Sequence, residues 1–197
     1  MQFGKAQVPT DSEIKRLITI VKSGNHSKRN LAIISFSYRL GLRAKELAAL
    51  HIEDVIDTQG RIREECELKS SMTKGGKQRI AYLTNPMVKQ TLRDYIDERK
   101  SDEGILFNPC SALFKSQKHN HFDPNTMQQL LARLHKLAGI NRGRSHSGRR
   151  WFATELISKG IDIKSVSVLM GHSSISMTAQ YAEDNPQRLR KIAAELA

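Results

Sequence analysis

Glycine and proline cut this chain into short pieces whose apolar residues recur at helical spacing, and one window breaks that rhythm. Ile14, Leu17, Ile18 and Val21 mark a first helix that Thr10, Asp11 or Ser12 can cap and Gly24 closes. A second pattern runs from about Ser27 through Leu31, Ile34, Phe36 and Tyr38 to Leu40, and Gly41 separates it from a third helix at 44–50. Between about Gly60 and Leu83 the pattern changes. Ile62, Cys66 and Leu68, then Ile80, Tyr82 and Leu83, flank the turn-forming run Thr73-Lys74-Gly75-Gly76-Lys77, which predicts a small antiparallel β-sheet. Asn85-Pro86 opens a helix to about Arg99, residues 100–122 read as irregular around a short apolar patch at 105–107, and Asp123-Pro124 opens a helix ending near Gly139. Helical pieces follow at 147–159, 162–170 and 174–182, and Pro186 sets off a last one. The expected fold is mostly α with a small antiparallel β-sheet (α+β). It comprises a lead-in at 1–9, one domain at 10–185 and a tail helix at 186–197.

Lysine and arginine total 32 against 20 aspartates and glutamates, a formal charge of +12. A polyanion is the usual partner for such an excess, because phosphates attract clustered cations and the released counterions drive binding. A soluble protein that is merely basic has the same sum, so charge alone names no function. With 39% hydrophobic and 26% charged residues, the chain has the composition of a globular protein and not of a disordered one. Cys66 and Cys110 are too few for a disulfide framework, and no run approaches the roughly 18 consecutive apolar residues of a membrane span. The reducing cytoplasm is the expected setting, with no membrane partner. Cys110, His119 and His121 lack a second paired motif and are read as loop residues, so neither a metal nor another cofactor is expected.

Residues 133–150 hold Arg133, Lys136, Arg142, Arg144, Arg149 and Arg150 with no acidic residue among them, a pattern that suits a DNA-contacting surface. Inside it, Ser145-His146-Ser147-Gly148-Arg149 sets an imidazole three residues before a guanidinium, so that both can share one helical face and address one phosphate. On its own the pattern also fits a capping turn with a surface arginine. Further on stands Leu169-Met170-Gly171-His172-Ser173-Ser174-Ile175-Ser176-Met177-Thr178-Ala179-Gln180-Tyr181-Ala182, in which Tyr181 follows His172 by nine residues.

This last segment resembles the signature of the tyrosine recombinase, or phage integrase, family. There, a Leu-Gly-His turn precedes a nucleophilic tyrosine at that spacing; here Met170 stands where a leucine is more usual. The rest of the family pattern is found in order. Gly41-Leu42-Arg43-Ala44-Lys45-Glu46-Leu47 resembles the first-arginine motif, with Arg43 on the phosphate and Glu46 as its buttress. Lys74 matches the lysine of the β-hairpin turn, a role for which Lys77 is a nearby rival that family spacing disfavours. His146 and Arg149 match the His-x-x-Arg box, His172 the third position and Tyr181 the nucleophile. Gly148 departs from the family, which commonly has an apolar residue such as leucine there, and is expected to loosen local packing. The resemblance spans roughly residues 10–185.

The residue types suit attack on a phosphodiester. Arg43 and Arg149 offer planar forks for the charge that gathers on the nonbridging oxygens, a geometry lysine does not reproduce. A tyrosine ester keeps the energy of the broken bond for resealing, and a phenol with a pKa of about 10 needs a base. The resemblance implies a 3′-phosphotyrosine and a free 5′-hydroxyl, with His146 as base, Lys74 as acid to the leaving oxygen and His172 bonded to the phosphate. Lys77, Arg142, Arg144 and Arg150 are the expected further DNA contacts. Tyr38, Tyr82 and Tyr95 are expected to pack.

The expected function is a site-specific recombinase acting in integration, excision, inversion or resolution. The alternatives are a DNA-binding regulator of the same fold without strand exchange, and a relaxing enzyme resembling type IB topoisomerases. After Pro186, Leu189, Ile192, Ala193 and Leu196 share a helical face. Family members dock such tails on a neighbouring protomer, which implies a tetramer on double-stranded DNA. The lead-in is too short for the core-binding domain many relatives carry. A short member, similar in size to the fimbrial-switch invertases, or a catalytic piece of a longer protein is therefore expected.

Overall fold

A helix can be buried on every side only if neighbours cover each face, and α2 (Ser27–Arg39) is such a helix. This computed structural model describes residues 8–73, 78–117, 121–183 and 193–194. Ile33, Ile34, Phe36 and Tyr38 are buried along α2 beneath α1 (Asp11–Ser23), α4 (Pro86–Glu103) and α6 (Ser147–Ser158). Phe36, edge-on to Phe114, is fully enclosed, a burial that contributes about 2–3 kcal/mol. The short α3 (Ala44–Ala49) leans on α5 (Pro124–Leu137), which also meets α1. A second, smaller core joins α6 to α7 (Ile163–Met170) and α8 (Ser176–Glu183) through Ala153, Ile157, Val166 and Met170, with Tyr181 packed at its edge.

The helix starts follow the sequence closely. Thr10 and Glu13 cap each other reciprocally, Asn85 and Asp123 cap α4 and α5 ahead of a first-turn proline, and Asp162 caps α7. The end of α4 does not, since it runs past Arg99 to Glu103. Arg99 is buried, pairs with Glu103 one turn on and donates to the carbonyls of Ala112 at 2.7 Å and Leu113 at 3.0 Å. A guanidinium so engaged prolongs the helix, and Gly104 stops it. Of the apolar patch beyond, Ile105 and Leu106 are exposed and Phe107 packs.

The sheet is a hairpin of β1 (Glu65–Leu68) and β2 (Arg79–Tyr82), antiparallel, with Leu68 opposite Arg79 and Cys66 opposite Ala81. That register turns Arg79 and Ala81 inward and leaves Ile80 and Tyr82 outward. Tyr82 is 44% exposed, against the expectation that it packs; Tyr38 and Tyr95 are buried as expected. The inward pull on Arg79 comes from partners on other elements, described below.

Gly148 does not loosen the packing, and that expectation is corrected. It lies where α6 meets α2, and a Cβ there would collide with Ser37 Oγ and stand 2.8 Å from the Tyr38 ring. The missing side chain is what lets the two helices touch, so a leucine would overpack the contact. Cys110 is exposed and donates through Sγ to Glu53 at 3.2 Å, His121 pairs with Lys115 in an isolated bridge, and His119 lies outside the described residues. Among the described residues no helix is long and apolar enough to cross a membrane. The tail after Pro186 lies outside them too, except Ala193 and Ala194, which are helical and exposed.

Candidate active site

Glu46 is fully buried on α3, and both of its oxygens are taken by arginines from different parts of the chain. Arg43, at the N-cap of α3, donates from Nη1 to Oε1 at 2.8 Å and from its backbone N–H to Oε2 at 2.8 Å. Arg79, from β2, donates from Nη2 to Oε2 at 2.8 Å. Burial alone would raise this carboxyl. The Arg79 charge and hydrogen bond, then the Arg43 N–H and the Arg149 charge, outweigh it and hold the group below the usual carboxylate range.

Arg149, one turn into α6, is buried. Its Nη1 donates to the Gly41 carbonyl at 2.6 Å and its Nη2 to the Met170 carbonyl. Those two bonds fix the guanidinium between the turn before α3 and the end of α7. Burial, then the Arg43 and Arg79 charges, push it down to about 9, so it remains a cation at neutral pH. Three guanidiniums around a single carboxylate make a strongly positive pocket. Burying such an excess costs several kcal/mol unless an anion is meant to join it.

His172 sits just past the left-handed cap of α7. Gly171, at φ +59°, makes that turn, and a side chain there would drive into Arg79 Cδ. The His172 Nδ1 is 2.8 Å from Thr178 Oγ1, and Thr178 is fully buried. Burial, then Arg149, Arg43 and Arg79, push His172 down to about 4, so the ring is neutral at neutral pH. With the Thr178 hydroxyl as donor to Nδ1, Nε2 carries the hydrogen and can be given to an oxyanion. The His172 ring stacks on Tyr181 at 6.1 Å between centroids, and the Arg150 guanidinium lies 5.4 Å from the Tyr181 ring.

The shift in His172 has a sign that can be tested. Its folded pKa lies below the ordinary 6.5, so as pH falls the unfolded chain takes the proton first. The stability tied to the neutral ring is complete above about 6.5 and is lost as pH falls toward 4. His135, buried and bonded to Tyr38 at 2.7 Å and to the Leu131 carbonyl at 2.6 Å, is lowered in the same sense by burial. Comparing a His172→Asn variant with the wild type isolates the first. Thermal melts at pH 7 and pH 5 should show a smaller drop in the variant, and equal drops would refute the assignment.

The structure thus brings Arg43, Glu46, Arg149, His172 and Tyr181 into one cluster. His146 is exposed at the N-cap of α6, one turn before Arg149, and Arg142 and Arg144 are exposed on the segment leading to it. Lys74 and Lys77 lie outside the described residues. On either side of that segment, the Thr73 carbonyl accepts from Lys45 Nζ at 3.3 Å and Arg79 begins β2. Sequence reasoning missed Arg79 and Thr178. An arginine at the start of a short strand gives no warning of burial, whereas Thr178 lies within the segment that carries His172 and Tyr181.

The model of the phage integrase family matches residues 7–188. The chain belongs to that family. It is 30% identical over 184 residues to a tyrosine recombinase XerA from Pyrococcus furiosus, covering 92% of this chain and 59% of the relative. It is 35% identical over 170 residues to a tyrosine recombinase XerD from Mycobacterium leprae, covering 83% and 51%. The chain therefore spans little more than half the length of these curated relatives. A crystal structure of XerA recombinase superposes with a TM-score of 0.77 at 29% identity, covering 96% of this chain and 62% of that one. The XerH recombinase bound to a palindromic difH substrate shares the fold at a TM-score of 0.74 and 24% identity, covering 94% and 51%.

Proposed function

We propose that this chain is the catalytic unit of a site-specific DNA recombinase that cuts and rejoins double-stranded DNA through Tyr181. The observation that carries the reading is the cluster of Arg43 and Arg79, both paired with the buried carboxylate of Glu46, and the buried Arg149 close by, beside the stacked rings of His172 and Tyr181. A phosphodiester fits that excess of charge. Arg43 and Arg149 take its nonbridging oxygens and gain most as the pentavalent state collects charge. Of the five donors of Arg149, two hold main-chain carbonyls, which leaves the others for the phosphate.

In the proposed reaction the Tyr181 oxygen bonds to phosphorus, its proton passes to His146, and the bond from phosphorus to the 5′-oxygen breaks. Lys74 protonates that leaving oxygen, and His172 donates from Nε2 to the phosphate. Reversal, with a 5′-hydroxyl from the same or another duplex, reseals the strand without an external energy source. Lys77, Arg142, Arg144 and Arg150 are assigned to the DNA backbone around the cut, and the reaction needs neither metal nor cofactor. A wholly positional and electrostatic catalyst of this kind suits the donor set. Two free cysteines fit action on DNA in the reducing cytoplasm.

The catalytic unit is assigned to residues 10–185, and the segment from 186 to a second copy of the chain, giving a tetramer on DNA. On the outer face of the hairpin, Glu65, Glu67, Ile80 and Tyr82 join Val168 around a cleft of about 930 Å³. The tail offers Leu189, Ile192 and Leu196 to that apolar wall and Arg188, Arg190 and Lys191 to its carboxylates, which share the cleft with Arg63 and Lys69. Removing residues 187–197 should abolish assembly on DNA in gel-shift and sedimentation measurements, and unchanged assembly would refute the docking.

Capture tests the activity. After incubation with sheared chromosomal DNA of the host, denatured protein should carry DNA joined through a 3′-phosphate, on a peptide containing Tyr181. Absence of any protein-linked DNA would exclude both recombination and type IB-like relaxation and leave a DNA-binding regulator. Relaxation of plasmids without exchange between mapped sites would favour the relaxing enzyme.

A further inference from the structure

An inward-facing arginine in a four-residue strand opposes the rule that charges stay in water, and Arg79 is only 7% exposed. Its partners lie far apart in the chain. Nη2 meets Glu46 Oε2 at 2.8 Å, Nη1 donates to the Leu169 carbonyl at 2.7 Å, and Cδ rests against Gly171. The Nε–H is buried and has no partner among the described residues, a cost that an apolar residue at this position would avoid. Arg79 also adds a third positive charge to a group already short of anions, where a structural filler would carry none.

Each of those contacts reaches a part of the proposed site. Glu46 holds Arg43 by its other oxygen. Leu169 and Gly171 shape the turn that presents His172, and the neighbouring Met170 carbonyl holds Arg149. Arg79 itself opens β2, five residues after Lys74 in the chain. One side chain thus touches the supports of Arg43 and of the His172 turn, and belongs to the strand that follows Lys74 in sequence.

We propose that Arg79 is a positioning residue for phosphoryl transfer: a buried guanidinium that locks β2, the Arg43–Glu46 pair and the Leu169–His172 turn into one arrangement around the scissile phosphate. The proposal rests on the reading of Tyr181 as nucleophile at this cluster. It differs from a purely structural role because Arg79 bears on the protonation and aim of His172 as well as on the fold.

The test compares wild type, Arg79→Met and Arg79→Lys in the full chain. Single-turnover cleavage is followed on a nicked duplex carrying the captured site, at saturating protein. Arg79→Met should cleave about 100-fold more slowly, in line with loss of a supporting group at a charged site, while duplex affinity stays within about threefold. Arg79→Lys keeps the charge but can reach only one of the two acceptors, so it should recover part of that rate. A second readout follows His172 by NMR of its imidazole. The groups facing that ring are Arg79 from β2, Arg43 beside α3, Arg149 from α6, and Thr178 and Tyr181 from α8. Its titration should move upward from about 4 in Arg79→Met and hold in Arg79→Lys. Wild-type cleavage by a folded Arg79→Met, or a rate loss with an unmoved His172 titration, would overturn the proposal. If wild type forms no Tyr181 adduct, the reading of the site fails and the cleavage role of Arg79 falls with it. The titration arm then still reports whether Arg79 sets His172.

Discussion

Tyr181→Phe is expected to bind its DNA site within about twofold of wild type and to form no covalent adduct at all. The ring is half-buried at the edge of the small core between α6, α7 and α8, and phenylalanine keeps the same ring there. The contacts of that ring with His172 and Arg150 do not depend on the hydroxyl. Melting temperature should therefore change by no more than a degree or two, about what a lost, partly exposed hydroxyl is worth. The chemistry, by contrast, has no substitute oxygen at that place. Water admitted to the cluster would give hydrolysis without a protein-linked strand, so denaturing gels separate the two outcomes. An adduct formed by Tyr181→Phe would move the nucleophile to another residue and end the present assignment.

The candidate site was legible in sequence where its residues lie in local motifs. His172 and Tyr181 fall in one segment, His146 and Arg149 in another, and a helix begins within each, so the family resemblance could be matched within short stretches of chain. Arg43 with Glu46 is likewise a single turn, closed by reciprocal bonds. Arg79 was not legible, because its partners are 33 residues before it and 90 after it. The same distant pull explains why Tyr82 faces outward when it was expected to pack. Ile80 and Tyr82 look like the inner face of an isolated strand, but a buried carboxylate on α3 and a helix-end carbonyl on α7 reward the opposite register. Gly148 misled for a related reason: a missing side chain reads as a void until α2 is seen to fill it. The helix caps, settled within four residues of chain, were read with few errors. The end of α4 failed because Arg99 reaches carbonyls beyond its own helix.

Arg149→Lys retains a cation and should nonetheless lose about 100- to 1,000-fold in single-turnover cleavage, the range for removing one organised donor at a developing oxyanion. The guanidinium spans two carbonyls, Gly41 and Met170, from opposite sides of the site, with further donors left for the phosphate of the proposed reaction. An ammonium is a single point on a flexible stem and cannot hold both carbonyls and an oxyanion together. Whichever carbonyl it releases is left buried without a donor, a loss of roughly 1–3 kcal/mol, so a fall of several degrees in melting temperature should accompany the loss of rate. Because the charge survives, the field at His172 should be little changed and DNA affinity should drop no more than a few-fold. Charge and geometry are thereby separated: Arg79→Met removes charge and moves His172, whereas Arg149→Lys removes the fork and leaves His172 in place. Cleavage by Arg149→Lys within tenfold of wild type would mean that positive charge alone suffices at this position, and the planar donor set would lose its assigned role.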